Sequence, residues 1–198
     1  WYQVLNEDGD FIDCRLKGKI RLKGIKSTNP VAVGDVVVYE NENNTIISVK
    51  PRRNYLIRRS NNLSKYSHII ASNMDLVILI ASHKNPRTSK GFIDRFLLTC
   101  EAYGLDAIIV MNKCDQLNDD EIDEVALTLA LYEEIGYQTL MISAKEENHW
   151  PDLLELIQGK TVLLSGHLGV GKSTINNKLI PELALETGSV YEGKFIGN

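Results

Sequence analysis

The sequence predicts an α/β domain with a largely parallel sheet, preceded by a small all-β barrel, and three observations carry that prediction. Short alternating runs broken by turn residues fill the chain up to about Pro51. From Asn73 onward apolar strands alternate with helical patterns, which is the rhythm of βαβ units. The charge divides in the same place. Residues 1–70 carry 12 Lys/Arg against 7 Asp/Glu, net +5, and residues 71–198 carry 10 against 19, net −9, which together give the formal −4 of the 198-residue chain. A basic first third and an acidic remainder point to one part that meets a polyanion and another with a different task.

Within the first part, Phe11 to Leu22, a loop holding Asn29-Pro30, Val36 to Tyr39, the polar tip Asn41 to Asn44, and Thr45 to Val49 predict a small antiparallel barrel. The stretch Arg52 to Ile70 is polar and basic and is placed as the junction. Beyond it, strands are expected at Leu76 to Ala81, Ala107 to Met111, Gln138 to Ile142 and Thr161 to Leu164. Ile93, Phe96, Leu97, Cys100 and Tyr103 recur at helical spacing, and Gly104 closes that helix. Asn118 with Glu121 forms a capping-box-like start, from which Ile122, Val125, Ala126, Leu129 and Tyr132 continue one apolar face to Gly136. Pro151 starts a short helix, and Thr174 to Ile180 is helix-compatible. The expected domains are therefore 1–55, a junction 56–72, and 73–198.

Composition narrows the class. With 43% apolar and 24% charged residues the chain can bury a core, which excludes disorder, collagen and coiled coil. The longest apolar stretch, Leu76 to Ala81, is far short of the ~20 residues of a membrane-spanning helix. Trp1-Tyr2-Gln3 does not open a signal peptide, and the lack of an initial Met is read as a trimmed start. Cys14, Cys100 and Cys114 are odd in number and scattered, so neither a disulfide framework nor a metal knuckle is expected. A soluble protein of a reducing cytoplasm, without a membrane partner and monomeric, is the expectation.

Gly166-His167-Leu168-Gly169-Val170-Gly171-Lys172-Ser173 fits G-x-x-x-x-G-K-[ST], with an apolar strand before it and a helical run after it. Small residues let the backbone curl so that successive N–H groups point at phosphate oxygens, and the helix N-terminus adds a positive dipole end. Lys172 would neutralise the β and γ phosphates, and the Ser173 hydroxyl would ligate Mg²⁺, with Thr174 closing the loop. A Gly-rich turn between strand and helix is the plainer alternative.

The phosphate loop by itself does not choose a base. Asn112-Lys113-Cys114-Asp115 follows the strand ending in Val110-Met111, at the carboxyl end of the sheet where open α/β folds bind ligands. A carboxylate there accepts two hydrogen bonds from guanine N1–H and the N2 amine, donors that adenine lacks in that geometry, which disfavours an ATP-dependent kinase or ATPase. A polar turn after a strand remains the alternative. Ser143-Ala144-Lys145 follows the next strand, where a tight turn would aim the Ala144 N–H at guanine O6. Three loops at successive strand ends thus supply base reading twice and phosphate binding once.

The order of these loops is the reverse of that in ordinary small GTPases, where the phosphate loop comes first. A basic β barrel ahead of such a permuted domain resembles the ribosome small subunit-dependent GTPase A family. Further marks are Cys14 to Lys19, Gly34-Asp35, Arg52-Arg53, Asn73-Met74-Asp75 and Ile93-Asp94-Arg95-Phe96. The resemblance implies an OB-fold, RNA-binding N-terminal domain, a circularly permuted GTPase domain and a C-terminal zinc domain. It also implies GTP hydrolysis to GDP and phosphate, stimulated by the small ribosomal subunit during its late maturation, with GTP/GDP and Mg²⁺ as cofactors. On the family pattern Asn112, Lys113 and Asp115 hold guanine, Ser143, Ala144 and Lys145 support it, and Gly166 to Thr174 hold phosphates and Mg²⁺, Lys172 and Ser173 being the catalytic pair.

Leu168 stands where the family pattern has Ser, and Asn176 and Lys178 stand where it has Ile and Ala, which puts the packing of that helix in question. The chain reaches Asn198 without a Thr-rich switch, an Asp-x-x-Gly loop or a zinc-binding Cys/His cluster. A nucleotide-dependent rRNA-binding switch that does not hydrolyse is therefore the alternative expectation for this stretch.

Arg15, Lys17, Lys19, Arg21 and Lys23 alternate with Leu16, Gly18, Ile20 and Leu22. In a strand they would set five cations on one face over roughly 27 Å, at about 3.4 Å per residue. Such a face suits a phosphate backbone or is simply solvated; the resemblance favours rRNA. Tyr55, Arg58 and Arg59 would extend it or belong to the junction. His68, His83 and His149 read as ordinary polar residues, and Asp119-Asp120 and Glu146-Glu147 as solvated charges.

Overall fold

Leu76 to Ser82 is buried along its whole length, as a strand must be when helices cover both faces of its sheet. The computed structural model describes residues 1–18, 29–59, 67–146 and 149–181. Its contacts divide the chain into two units, Trp1–Met74 and Asp75–Asn198.

In the first unit β1 (Tyr2–Leu5) and β2 (Phe11–Leu16) form an antiparallel hairpin, as do β3 (Val37–Glu40) and β4 (Thr45–Val49). The order of these described strands is β1-β2-β4-β3. The β2–β4 pairing is parallel, which amends the purely antiparallel expectation; the long connection between them gives the chain room to return in the same direction. Buried Cys14, Val31 and Ile46 form the centre, with Tyr2, Val4, Ile12, Leu16, Val37, Tyr39 and Val49 packed around them. β2 ends at Leu16 rather than Leu22, and Gly18 follows in a left-handed conformation, φ +55°, which breaks an extended run. The rest of the expected strand lies outside the described residues.

The stretch placed as a junction holds two paired antiparallel strands, β5 (Tyr55–Arg59) and β6 (Ser67–Ser72). The segment leading into them is tied to the rest of the first unit by a buried ion pair. Arg52 donates through two nitrogens to the two oxygens of Asp35, both at 2.6 Å, with the side chains 5% and 0% exposed. Asp35 also accepts from the Ser72 hydroxyl at 2.5 Å and the Ala32 N–H at 2.8 Å. Burial alone would raise its pKa, but the hydrogen bonds from Arg52, Ser72 and Ala32 outweigh it and hold the carboxyl below its ordinary value. A Cβ on Gly34, φ +87°, would collide with the Ser72 carbonyl, so the chain can pass only as glycine. Asn73 completes the knot by donating to the Gly34 carbonyl at 2.9 Å and accepting from the Arg53 N–H at 2.8 Å.

In the second unit the elements alternate: β7 (Leu76–Ser82), α1 (Lys90–Ala102), β8 (Ala107–Asn112), α2 (Asp119–Glu134), β9 (Gln138–Met141), α3 (Trp150–Ile157), β10 (Val162–Ser165) and α4 (Lys172–Leu179). The order of the described strands is β10-β7-β8-β9, every pairing parallel. Residue parity sorts the core. Leu76, Ile78, Ile80, Ile108 and Val110 face Trp150, Leu153, Val170 and Ile175, whereas Leu79, Ala81, Ile109 and Met111 face Ile93, Leu97, Val125, Leu129 and Tyr132. After β9 the chain crosses back to the far edge of the sheet, and a crossover of constant hand then puts its helix on the opposite face from α1 and α2.

α2 begins with the expected capping box, Asn118 and Glu121 bonding reciprocally. α1 is capped by Ser89, whose hydroxyl accepts from the Phe92 N–H at 3.3 Å. Of the unusual residues of α4, Lys178 finds partners: its Nζ lies 4.4 Å from the centre of the Trp150 ring and donates to the Glu146 carbonyl at 2.6 Å, while Ile175 seals the core. The helix is seated despite its polar positions.

Candidate nucleotide-binding site

Three loops converge at the carboxyl edge of the parallel sheet, following β10, β8 and β9. The first, Gly166 to Gly171, leads into α4 at Lys172. Its glycines 166, 169 and 171 have φ of +143°, +83° and +101°. A Cβ on Gly166 would collide with the Ile80 carbonyl, and one on Gly171 with the Asn112 amide nitrogen. The loop is therefore pressed against the end of β7 on one side and the end of β8 on the other. Val170 is fully buried and plugs the loop into the core, and Leu168 stands 75% exposed. Lys172 Nζ donates to the carbonyl oxygens of Gly166 at 2.9 Å and His167 at 2.6 Å, and burial lowers its pKa. Ser173 and Thr174 are half-buried at the first turn of α4.

The second loop hangs on Asn112, which is 2% exposed. Its amide nitrogen donates to the Val170 carbonyl at 2.8 Å, and its amide oxygen accepts from the Ala144 N–H at 2.9 Å. One side chain thus fastens all three loops together. The Ala144 N–H is consequently not the free donor toward a base oxygen that the sequence predicted; the buried Asn112 oxygen needs it. Ser143, also buried, donates to one carboxylate oxygen of Asp115 at 2.8 Å and accepts from the Lys145 N–H at 3.3 Å. Among the described residues the second Asp115 oxygen has no partner, and the side chain is exposed.

Lys113 takes a left-handed conformation, φ +70°, and its ammonium donates to the Asn85 carbonyl. Burial and then the Lys145 charge lower its pKa. Burial pushes the Cys114 thiol up to about 11, so at neutral pH it is not a thiolate nucleophile.

Sequence reasoning missed the loop after β7. It is closed by the Thr88 N–H to the Ser82 carbonyl at 2.8 Å, the Ser82 N–H to the Thr88 hydroxyl at 3.1 Å, and the Ser82 hydroxyl to the Pro86 carbonyl at 2.5 Å. Lys84 bonds Glu121 at 2.5 Å, joining this loop to the start of α2. The Asn85-Pro86 dipeptide was the available turn signal. Phe92 was missed as well: its ring lies 3.8 Å from the imidazole of His167.

In the first unit, the Arg15 guanidinium sits 4.1 Å above the Trp1 ring and Lys17 pairs with Glu40 at 3.0 Å, both side chains exposed. Lys19, Arg21 and Lys23 lie outside the described residues. Among the described residues no group of three or more His, Cys, Asp or Glu gathers to hold a metal, and no helix is long and apolar enough to cross a membrane.

Comparison with known proteins gives a consistent result. The family described as RsgA GTPase matches residues 49–198, and that described as RsgA N-terminal domain matches residues 1–47. The Small ribosomal subunit biogenesis GTPase RsgA of Flavobacterium johnsoniae is 50% identical over 97% of this chain and 61% of its own length. The protein of the same name from Flavobacterium psychrophilum is 46% identical, with the same two shares. Among solved structures, YjeQ from Thermotoga maritima superposes with a TM-score of 0.71 at 33% identity, covering 92% of this chain and 62% of that one. YloQ, described as a circularly permuted GTPase, gives 0.64 at 33% identity, covering 91% and 61%. The chain spans about three-fifths of the length of these relatives. The reversed loop order on an intact parallel sheet, together with these matches, means that the chain belongs to the RsgA GTPase family.

Proposed function

We propose that the full-length protein binds GTP in the crevice formed by these three loops and hydrolyses it to GDP and phosphate in the service of small ribosomal subunit maturation in the cytoplasm. The observation that carries this reading is Asn112, whose single amide joins the phosphate loop to both base loops and so sets them at one site. The free Asp115 oxygen, beside the one fixed by Ser143, accepts from the guanine N1–H and N2 amine. Adenine offers no such donors, and a carboxylate covered by the wrong base loses its water without gaining partners.

Lys172 is held by two carbonyls of its own loop, and phosphate oxygens offer it a better, charged acceptor. With Lys172 moved onto the β and γ phosphates, the loop N–H groups and the start of α4 complete the anion site. The Ser173 hydroxyl, for which the described residues supply no hydrogen-bond partner, is a hard oxygen ligand fit for Mg²⁺. That ion, when bound, supplies further positive charge to the phosphates. Lys113 and Lys145 flank the base loop, and Lys113 leans on Asn85, which fixes the wall against which the base is held.

The N-terminal unit is proposed to meet the rRNA of the small subunit through Arg15 and Lys17 together with Lys19, Arg21 and Lys23. Its exposed cations and net positive charge support a backbone-directed, salt-dependent contact. Phosphate release from GTP and from ATP by the full-length protein, with and without small ribosomal subunits, tests the whole reading. Release from GTP alone, accelerated by the subunits, is expected; equal use of ATP would remove the base assignment, and no acceleration would remove the ribosomal role.

A further inference from the structure

Three of the loop residues between Gly166 and Gly171 are glycines, and a glycine-rich loop pays a large ordering entropy when it closes on a ligand. Two side chains in this loop counter that cost. Val170 plugs into the core, as noted, and the second is His167. Its imidazole lies against the Phe92 ring at 3.8 Å between centroids with a tilt of 36°. Phe92 in turn lies 6.2 Å from Phe96, one helical turn further along α1, at 29°. The result is a short aromatic ladder that runs from α1 to the leading limb of the phosphate loop.

Both partners of the Phe92–His167 contact are anchored. Phe92 sits in the first turn of α1, where its N–H is held by the Ser89 hydroxyl, and Ser89 follows the loop closed by Ser82 and Thr88. His167 offers its carbonyl to Lys172 at 2.6 Å. Burial and the nearby Lys172 charge lower the His167 pKa, so at neutral pH the ring is an uncharged aromatic surface that does not repel the lysine. When Lys172 turns from the Gly166 and His167 carbonyls to phosphate, those carbonyls lose their tether. The ring stack is then what keeps the leading limb in place.

We propose that His167 is a positioning residue of the phosphate loop, its imidazole clamped on Phe92 so that the loop stands pre-shaped against α1 before and after Lys172 engages phosphate. This rests on the guanine-nucleotide reading above and adds to it a residue pair 75 positions apart that the loop motif does not contain. An aromatic pair of this kind corresponds to about a 2- to 10-fold effect on an equilibrium or an off-rate.

The test is the release rate of a fluorescent GDP analogue from the full-length protein, measured by stopped flow for His167→Ala, Phe92→Ala, the double variant and His167→Phe, each with its thermal midpoint. Release about 2- to 10-fold faster in each alanine variant is expected, with the double variant no faster than the faster single one and with His167→Phe close to the parent. Additive effects, unaltered release, or a His167→Phe variant as fast as His167→Ala would overturn the clamp, the last pointing to a polar role for the imidazole instead. Failure of the parent protein to bind guanine nucleotide at all would instead overturn the functional reading on which the clamp rests.

Discussion

The two walls of the site are built differently. The base wall is wired in advance: buried Asn112 accepts from the Ala144 N–H, buried Ser143 donates to Asp115, and Cys114 is pinned through its N–H to the Ile142 carbonyl at 3.2 Å. The phosphate wall is held chiefly by contacts at its margins, and its one cation is parked on its own carbonyls at Gly166 and His167. Selecting a purine requires donors and acceptors at fixed positions, because discrimination comes from leaving the wrong ones unpaired. Gripping a flexible, highly charged tail requires backbone N–H groups that can wrap, for which small residues with positive φ are suited. Asn112 is where the two styles meet, and it makes each wall dependent on the other.

Changes that separate the walls should therefore have graded effects. Lys172→Ala should be the most severe for binding, lowering GTP affinity by ~30-fold or more, since the loss of a desolvated charge partner typically costs about 2–5 kcal/mol. Titration calorimetry would read it, and a thermal midpoint near the parent's would show that the base wall survives. Asn112→Ala comes next and should damage both walls. It strands the Val170 carbonyl and the Ala144 N–H at roughly 1–3 kcal/mol each, so denaturant unfolding should show a loss of about 2–6 kcal/mol together with weaker GTP binding.

Asp115→Asn should act on the base wall alone, shifting preference from GTP toward xanthosine triphosphate by ~10-fold or more, because the amide donates where the carboxylate accepts. Competition binding with the two nucleotides decides it, and an unchanged preference would end the assignment of Asp115. Smallest of the four, Ser143→Ala removes one hydrogen bond to Asp115 and should weaken GTP binding by only a few-fold, in keeping with ~0.5–1.5 kcal/mol for such a bond. If Ser143→Ala instead matched Asn112→Ala in stability loss, the base wall would be less finely partitioned than its hydrogen bonds indicate.

Much of this was legible from the chain alone, for reasons that differ by element. β7 and β8 announce themselves because strands buried on both faces are continuously apolar, and the motif at 166–173 does so because few residue types let a backbone cradle phosphate. The capping box at Asn118 is a local interaction and was read locally. By contrast β1, with only four residues, and the β5–β6 pair, with polar and basic positions, carry too weak an alternation to stand out.

What the sequence determined by itself is local: the strongly apolar strands and the capped helices, the glycine-rich turn between β10 and α4, and the carboxylate of Asp115 just past the end of β8. What tertiary structure alone decided is who meets whom across long separations. Asn112 reaches Val170 over 58 residues, Asp35 finds Ser72 over 37, and His167 meets Phe92. Periodicity and spacing report on neighbours along one element, whereas these pairings depend on strand order, and the order β10-β7-β8-β9 follows only from how the crossovers pack.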